Sequence, residues 1–399
     1  MNLQLHSTLG REKRPFRTVE PDVARIYVCG VTPYDVTHLG HAFSYVQFDA
    51  LRRYLMFLGY TVNYVQNVTD IDDDMIRVSR LQGGRPIAEI RDENDAIFRN
   101  DMDRMNVLRP TSYPFATDHI PQIIEATARL IENGHAYEVD GDVFFEASTF
   151  ERYGALNGVP LAELGKLENP ESKRAHKKRG HLDFLLWQLT EPDEPSWESP
   201  WGPGRPGWSI ECTAMSMAHL GEQIDIHGGG SDLRFPHHEN EIAQAESVSG
   251  LAPYCGYWMH NGMLSLEGVK MSKSLGNLVL ARDLMKEVDP DHLRLYLLTN
   301  HYRADPDYRR DSLHGVEEMF QRFRAAAVGA GASGAPAADF LASLDDDFDV
   351  PRALAAADAS AARILAGSGD DGEAADLRAG LAILGFAFAG APGPTTTEA

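Results

Sequence analysis

Two short motifs of this sequence have residue types that suit phosphate chemistry, and about 230 residues separate them. The first, THLGH at 37–41, places Gly40 where the backbone can approach a ligand closely, and it places His38 and His41 where imidazoles can face developing phosphate charge. The second, KMSKS at 270–274, holds two lysines and two serines in five residues. The pair predicts a site for a nucleoside triphosphate.

A further group of side chains has the chemistry of metal ligands. Its members, drawn from distant parts of the chain, are Cys29, Cys212, His237, His238 and Glu241. If Pro236 begins a helix, His237 and Glu241 stand at positions i and i+4 on one face, where both can bind one ion. Two thiolates, an imidazole and a carboxylate suit Zn²⁺. For His238 a capping or core role is the alternative, and Cys255 is expected to be a packing residue.

The elements that must position these residues begin with a βαβ unit. Residues 25–29 form a short run that favours a strand, residues 42–58 are apolar at helical spacing, and residues 62–68 form a second strand-like run. Such a unit implies a parallel sheet with its ligand site at the carboxyl ends of the strands. Cys29 and the first motif both lie at that end of the first strand.

The rest of the chain divides by composition. Residues 117–134 read as a helix, residues 140–200 read as an irregular insertion rich in Pro, Gly and Trp, and strands and helices alternate again over 208–260. The predicted organisation is an α/β domain in two halves, at 1–115 and 201–299, with a connective insertion at 116–200 between them, then a small helical domain at 300–388 and a disordered tail at 389–399.

Composition limits the class of protein. The chain has 399 residues, 43% hydrophobic residues and a formal net charge of −22, and it has no apolar run long enough to span a membrane. With three cysteines and no apolar leader in residues 1–17, we expect a cytoplasmic protein. The negative charge argues against DNA, a membrane surface and non-specific RNA binding. The basic run KRAHKKRG at 173–180 would still allow contact with one RNA, and a solvated loop is the alternative.

The motifs resemble the HIGH and KMSKS signatures of class I aminoacyl-tRNA synthetases. From about residue 8 to 384 the chain is similar to cysteinyl-tRNA synthetases, through the segments YVCG, NVTDIDD, PWGPGRPGW, IHGGGSDLRFPHHENEIAQ, YWMHNGM and KMSKSLGN. The resemblance implies an α/β fold in which a Rossmann-like parallel sheet is split by an insertion and followed by a C-terminal α-helical domain.

The resemblance also implies roles for individual residues. One zinc ion would be held by Cys29, Cys212, His237 and Glu241 and would bind the thiolate of the substrate cysteine, so that serine is rejected. The amino-acid site would include Gly30, Thr69, Trp208 and His227. ATP, with Mg²⁺, would lie against Thr32, His38, Gly40, His41, Lys270, Ser272 and Lys273, and the catalytic residues among these would be His38, His41, Lys270 and Lys273.

The implied activity has two steps. ATP and L-cysteine give cysteinyl-adenylate, and the acceptor end of tRNA(Cys) then takes the cysteine, which yields Cys-tRNA, AMP and diphosphate. Residues 301–399 carry 8 basic and 16 acidic side chains, and we expect no anticodon-binding module there.

Two alternatives remain open at the level of sequence. The mycothiol-pathway ligase uses the same activation to join cysteine to the amine of glucosaminyl-inositol, and CGVTPYDVTHLGHA, Gln66 and Asp74 resemble that family. Glu241 and His227 resemble the synthetases, and Ser209 stands where both families have a histidine. The second alternative is a non-catalytic, zinc-binding paralogue.

Overall fold

The computed structural model of the chain describes residues 2–159, 161–164, 166, 172–271, 275–328 and 334–388. Its strands are β1 (Gln4–Ser7), β2 (Glu12–Pro15), β3 (Val23–Val31), β4 (Thr61–Val68), β5 (Ala136–Val139), β6 (Asp142–Phe145), β7 (Phe184–Leu189), β8 (Gly204–Pro206), β9 (Ile224–Gly230), β10 (Cys255–Asn261), β11 (Ser265–Leu266), β12 (Val269–Lys270) and β13 (Asp307–Tyr308).

The α-helices are α1 (Leu39–Phe57), α2 (Asp73–Leu81), α3 (Ile87–Arg104), α4 (Ile120–Glu132), α5 (Leu161–Leu164), α6 (Trp208–Leu220), α7 (His237–Ser249), α8 (Ala281–Glu287), α9 (Pro290–Leu298), α10 (His314–Ala327), α11 (Ala338–Asp345), α12 (Val350–Leu365) and α13 (Asp371–Ile383). Short 3₁₀ helices cover Ala116–His119, Ala147–Thr149, Ser172–Lys177 and Ser231–Arg234.

The central sheet is parallel and has the strand order β10-β9-β3-β4. Successive side chains of a strand point to opposite faces, so Ile26 and Val28 of β3 pack in the apolar cluster of α1, while Tyr27 and Cys29 pack in the cluster that contains Cys212 of α6. Helices therefore cover both faces of the sheet. The predicted βαβ unit and the parallel sheet are confirmed.

Helix α1 begins three residues earlier than the predicted helix at 42–58. The side chain of His38 caps it, because Nδ1 accepts a hydrogen bond from the backbone N–H of His41 at 3.3 Å. The helix ends before Gly59, whose positive φ of 95° stops helical hydrogen bonding. The first motif is therefore the amino-terminal turn of a helix at the carboxyl end of β3.

Residues 140–200 contain more regular structure than the sequence indicates. Strands β5, β6, β7 and β8 form an antiparallel sheet in that order, and its side chains include the fully buried Phe144, Phe145 and Trp187. Strands β6 and β7 lie within 140–200, so the expectation of an irregular segment was wrong for these two strands. Strands of three to six residues between Pro- and Gly-rich turns carry too little periodicity to be recognised.

Helices α10 to α13 occupy the region predicted to be helical. Their apolar core is continuous with that of the central sheet, since Phe323, Leu344 and Phe348 belong to the same buried cluster as Phe43 of α1. The predicted tail at 389–399 lies outside the described residues. The domain boundaries stay predictions.

Among the described residues, none of the helices combines the length and the apolar character that a membrane-spanning segment requires. The cytoplasmic location stays a prediction.

Candidate active site

A pocket of about 320 Å³ opens at the carboxyl ends of the parallel strands. Residues from both motifs and from the end of β3 line it together, which is the position that parallel α/β sheets favour for ligands. The lining includes Cys29, Gly30, Thr32, His38, Gly40, His41, Trp208 and Lys270.

Beside this pocket four buried side chains from three elements bring their donor atoms together. Cys29 comes from β3, Cys212 from α6, and His237 and Glu241 from α7, and the four donor atoms all lie within 4.8 Å of one another. The Cys29 sulfur lies 3.9 Å from the Cys212 sulfur and 3.5 Å from His237 Nε2. His237 Nε2 and Glu241 Oε1 are 3.2 Å apart, as the i, i+4 spacing predicts. This cluster could hold a metal ion.

Burial controls the protonation of these groups. It raises the pKa of the Cys29 thiol well above its ordinary value. Burial also opposes ionisation of Cys212, but hydrogen bonds from Cys29 and Tyr27 lower the pKa of Cys212. The pKa of His237 is lowered by burial, so its imidazole is neutral near pH 7 and one ring nitrogen is free to act as a ligand.

Two more histidines lie beneath the four donors. His227 is fully buried, its Nε2 lies 2.8 Å from Glu241 Oε2, and its ring stacks on Trp258. His238 approaches the Cys29 sulfur with Nε2 at 3.3 Å and meets His260 through Nδ1 at 2.8 Å. Together with Cys29 and Glu241, these two histidines form a second, overlapping group of possible metal ligands.

The first motif is hydrogen-bonded to the segment of the chain that follows the second motif. The backbone N–H of Leu39 donates to the carbonyl of Val279 at 2.8 Å, and His38 forms a β-bridge with Leu280. The imidazoles of His38 and His41 stack with centroids 3.7 Å apart at the edge of the pocket. Their position at the amino end of α1 suits anionic phosphate.

Lys270 lies on β12, is exposed and lines the same pocket. Its carbonyl accepts a hydrogen bond from the Asn277 amide at 3.1 Å. Ser272 and Lys273 lie outside the described residues, so their predicted roles at ATP stay predictions.

The residues predicted to contact the amino acid lie at different depths. Trp208 is 40% exposed and stacks on His237 at 4.1 Å between ring centroids, so it covers one side of this imidazole at the pocket. Thr69 is buried and shares a hydrogen bond of 2.7 Å with the pocket residue Thr32. His227 is not among the lining residues, and its contact with substrate stays a prediction.

His238, predicted as a candidate metal ligand with a capping or core role as the alternative, contacts the Cys29 sulfur. Two contributions to the pocket were missed from the sequence. Asp232 and Asn261 also line the pocket, because β9 and β10 end there. The alternation of strands and helices over 208–260 could have indicated them, since residues just after parallel strands face the same edge.

The basic run at 173–180 is largely engaged within the protein. Arg174 and Lys177 both pair with the buried carboxylate of Asp142, and Leu189 donates its backbone N–H to the same carboxylate at 2.9 Å. Arg179 lies over the Tyr137 ring at 4.0 Å. These cations hold the antiparallel sheet together, and contact of this segment with RNA stays a prediction.

The fold and the matching family model are those of a class I tRNA synthetase. The family model for "tRNA synthetases class I (C) catalytic domain" matches residues 15–318. The structure is similar to methionyl-tRNA synthetase of Mycobacterium tuberculosis in complex with methionyl-adenylate, with a TM-score of 0.62 and 17% identity over 90% of this chain and 88% of that one. A putative arginyl-tRNA synthetase of Campylobacter jejuni gives a TM-score of 0.58 and 13% identity over 91% of each chain. At these identities the likeness is one of fold.

Sequence similarity identifies the family. The chain is 44% identical over 360 residues to the cysteine--tRNA ligase of Actinobacillus pleuropneumoniae serotype 5b, which covers 88% of this chain and 78% of that protein. It is 45% identical over 375 residues to the cysteine--tRNA ligase of Trichlorobacter lovleyi, which covers 89% and 76%. This chain belongs to the cysteine--tRNA ligase family.

Gly30 gives a first test of the packing around the site. A Cβ at Gly30 would lie 1.5 Å from the carbonyl oxygen of Asn67 on β4, so Gly30→Ala has to displace the backbone of a neighbouring strand of the parallel sheet. We expect the free energy of unfolding to fall by about 3 kcal/mol or more, the upper range for overpacking, in urea denaturation. Gly315→Ala is the matched control, because Gly315 lies in α10 with open space around it. Equal stabilities for the two variants would contradict the close approach of β3 and β4.

Proposed function

We propose that this chain activates L-cysteine with ATP as cysteinyl-adenylate and transfers the cysteine to the 3′ end of tRNA(Cys), giving Cys-tRNA, AMP and diphosphate. The observation that carries the proposal is the buried cluster of two cysteines, a histidine and a glutamate beside the pocket that described residues of both motifs line. Membership in the cysteine--tRNA ligase family supports the same reaction.

The donor set fits one Zn²⁺ per chain, held by Cys29, Cys212, His237 and Glu241. Two thiolates bound to one tetrahedral zinc ion at about 2.3 Å each stand roughly 3.8 Å apart, and the sulfurs of Cys29 and Cys212 are 3.9 Å apart. When bound, the ion supplies a site for the substrate thiol, which as a soft ligand is preferred over the hydroxyl of serine.

The residues around the pocket have positioning and electrostatic roles in this proposal. The backbone at Gly40 lies against the nucleotide, and His38 and His41 face its phosphates from the amino end of α1. A carboxylate oxygen of cysteine attacks the α-phosphorus as the bond to diphosphate breaks. Lys270 and Lys273 stabilise the charge on the departing diphosphate, and Mg²⁺ accompanies ATP.

Exchange of labelled diphosphate into ATP tests the activation step, since it requires an amino acid but no acceptor. We expect exchange that depends on cysteine, is much weaker with serine, and is lost when a chelator removes the metal and restored when Zn²⁺ is added. Zinc-loaded protein without any cysteine-dependent exchange would contradict the proposal and favour the non-catalytic paralogue.

Lys270→Ala tests the assignment of phosphate charge stabilisation. We expect the rate of cysteine-dependent exchange to fall about 10²-fold, the typical cost of removing one group that stabilises transition-state charge, with zinc content unchanged. Lys273→Ala is expected to behave in the same way. Lys286→Ala is the control, because this exposed lysine pairs with Asp283 on α8 away from the pocket lining. Normal exchange in both motif variants would show the assignment to be wrong.

A further inference from the structure

The side of His237 that faces away from the other three donors is held by a hydroxyl group. His237 Nε2 points towards Cys29 and Glu241, while its Nδ1 lies 3.1 Å from Ser209 Oγ. The ring is 1% exposed and Trp208 stacks on it, so no bulk water is available to pair with Nδ1. An imidazole that binds a metal through one nitrogen carries its proton on the other, and that proton needs an acceptor.

Ser209 is itself part of a series of hydrogen bonds that extends beyond the parallel sheet. The serine is buried in the first turn of α6. The Asn240 amide donates to Ser209 Oγ at 3.4 Å, and the Tyr153 hydroxyl donates to the Asn240 oxygen. Because Tyr153 donates to the Asn240 oxygen, the amino group of the Asn240 amide faces the serine. Ser209 Oγ therefore accepts from a donor on α7 and is oriented towards His237.

We propose that Ser209 is a positioning residue for His237: it accepts the Nδ1–H bond, holds the tautomer in which Nε2 is unprotonated, and thereby sets the metal affinity of the centre. The proposal rests on the zinc centre of the proposed function. A serine hydroxyl oxygen suits the task because its two lone pairs can accept from the Asn240 amide and from the Nδ1–H of His237 at the same time. An alanine leaves a buried N–H without a partner whenever the metal is bound.

The test is the zinc affinity of the purified protein, measured by competition with a chromophoric chelator. Ser209→Ala is expected to bind Zn²⁺ about 10–100-fold more weakly, the usual cost of losing an outer partner of a metal-bound histidine. Ser216→Ala is the matched control, since Ser216 is fully buried on the same helix but pairs with Tyr254 instead. The control is expected to keep the wild-type affinity. Equal affinities in the two variants would overturn the proposal.

Two further measurements separate positioning from a general packing effect. Ser209→Thr keeps the hydroxyl and is expected to restore affinity, and the visible spectrum of the Co²⁺-substituted protein is expected to be altered in Ser209→Ala alone. If threonine binds as weakly as alanine, the hydroxyl is not the cause and the proposal fails. If Ser209→Ala does not fold, Tyr153→Phe tests the same series of hydrogen bonds, because Tyr153 lies at the end opposite His237. This variant is also expected to weaken zinc affinity.

The failure of this proposal is distinguishable from failure of the zinc centre. Wild-type protein that takes up no metal would overturn the centre itself. Wild-type protein that binds Zn²⁺ while Ser209→Ala matches the Ser216→Ala control would leave the centre standing and overturn the role of Ser209 alone.

Discussion

Cys212→Ala is expected to abolish tight zinc binding and, with it, cysteine-dependent formation of the adenylate. The variant removes one of four donor atoms that lie within 4.8 Å of one another. The three donors that remain, a thiol, an imidazole and a carboxylate, are all buried. Because a direct ligand is lost, the loss of zinc affinity should exceed about 100-fold, the upper cost of losing a residue that only hydrogen-bonds to a ligand. Zinc content after dialysis and labelled-diphosphate exchange, measured on one preparation, give the two readouts.

Cys255→Ala is the control for this experiment. Cys255 is the third buried cysteine, but its sulfur contacts the backbone carbonyls of Asp225 and Tyr257 and it is not part of either group of possible metal ligands. We expect Cys255→Ala to retain one zinc ion and normal exchange. Retention of stoichiometric zinc in Cys212→Ala would show that the ion is held elsewhere, for which the overlapping group around His227 and His238 is the nearest candidate.

Arg294→Met is expected to cause the largest loss of stability, about 3–5 kcal/mol, the cost of breaking a buried ion pair by removing one partner. Arg294 on α9 is fully buried, pairs with Asp49 of α1 and donates to the carbonyls of Met105 and Leu384. Burial alone would raise the pKa of Asp49, but Arg294 and Arg53 lower it below its ordinary value. The change leaves a buried carboxylate with Arg53 and one backbone N–H as partners.

Urea denaturation measures this loss, and an ion pair nearer the surface provides the control. Arg322 of α10 pairs with Asp358 at 2.7 Å while 33% of its side chain is exposed. Arg322→Ala is therefore expected to cost about 0–1 kcal/mol. If Arg294→Met were no less stable than Arg322→Ala, the junction between α1, α9 and the turn after α13 would not depend on the buried arginine.

The parallel sheet and the position of its ligand site could be predicted because the signals are local. The strand at 25–29 and the helix that follows have clear periodicity, and the spacing of His237 and Glu241 predicts a shared face once α7 is assumed. The alternation of β3 also determines that Cys29 and Val28 point to opposite faces. What the alternation does not determine is which helix packs on each face, so the meeting of Cys29 with Cys212 could be inferred only from the metal-ligand chemistry of the side chains and from the resemblance.

The remaining features depend on contacts between segments that are distant in sequence. The antiparallel sheet at 136–206 was missed because the paired strands β6 and β7 are separated by 38 residues of sequence, and no pattern marks their pairing. His238 contacts Cys29, which lies 209 positions before it in the chain. Ser209 contacts His237, which lies 28 positions after it. Such pairs follow from how α6 and α7 pack, not from the residues near either one.

The acceptor of the activated cysteine is the most direct test of the central claim. Zinc-loaded protein is supplied with ATP and labelled cysteine, and one reaction receives bulk tRNA while the other receives glucosaminyl-inositol. We predict acid-precipitable, base-labile label in the tRNA reaction, as expected for an ester with a ribose hydroxyl, and none in the other. Base-stable label on glucosaminyl-inositol, with uncharged tRNA, would contradict the claim and make the chain a ligase that forms an amide.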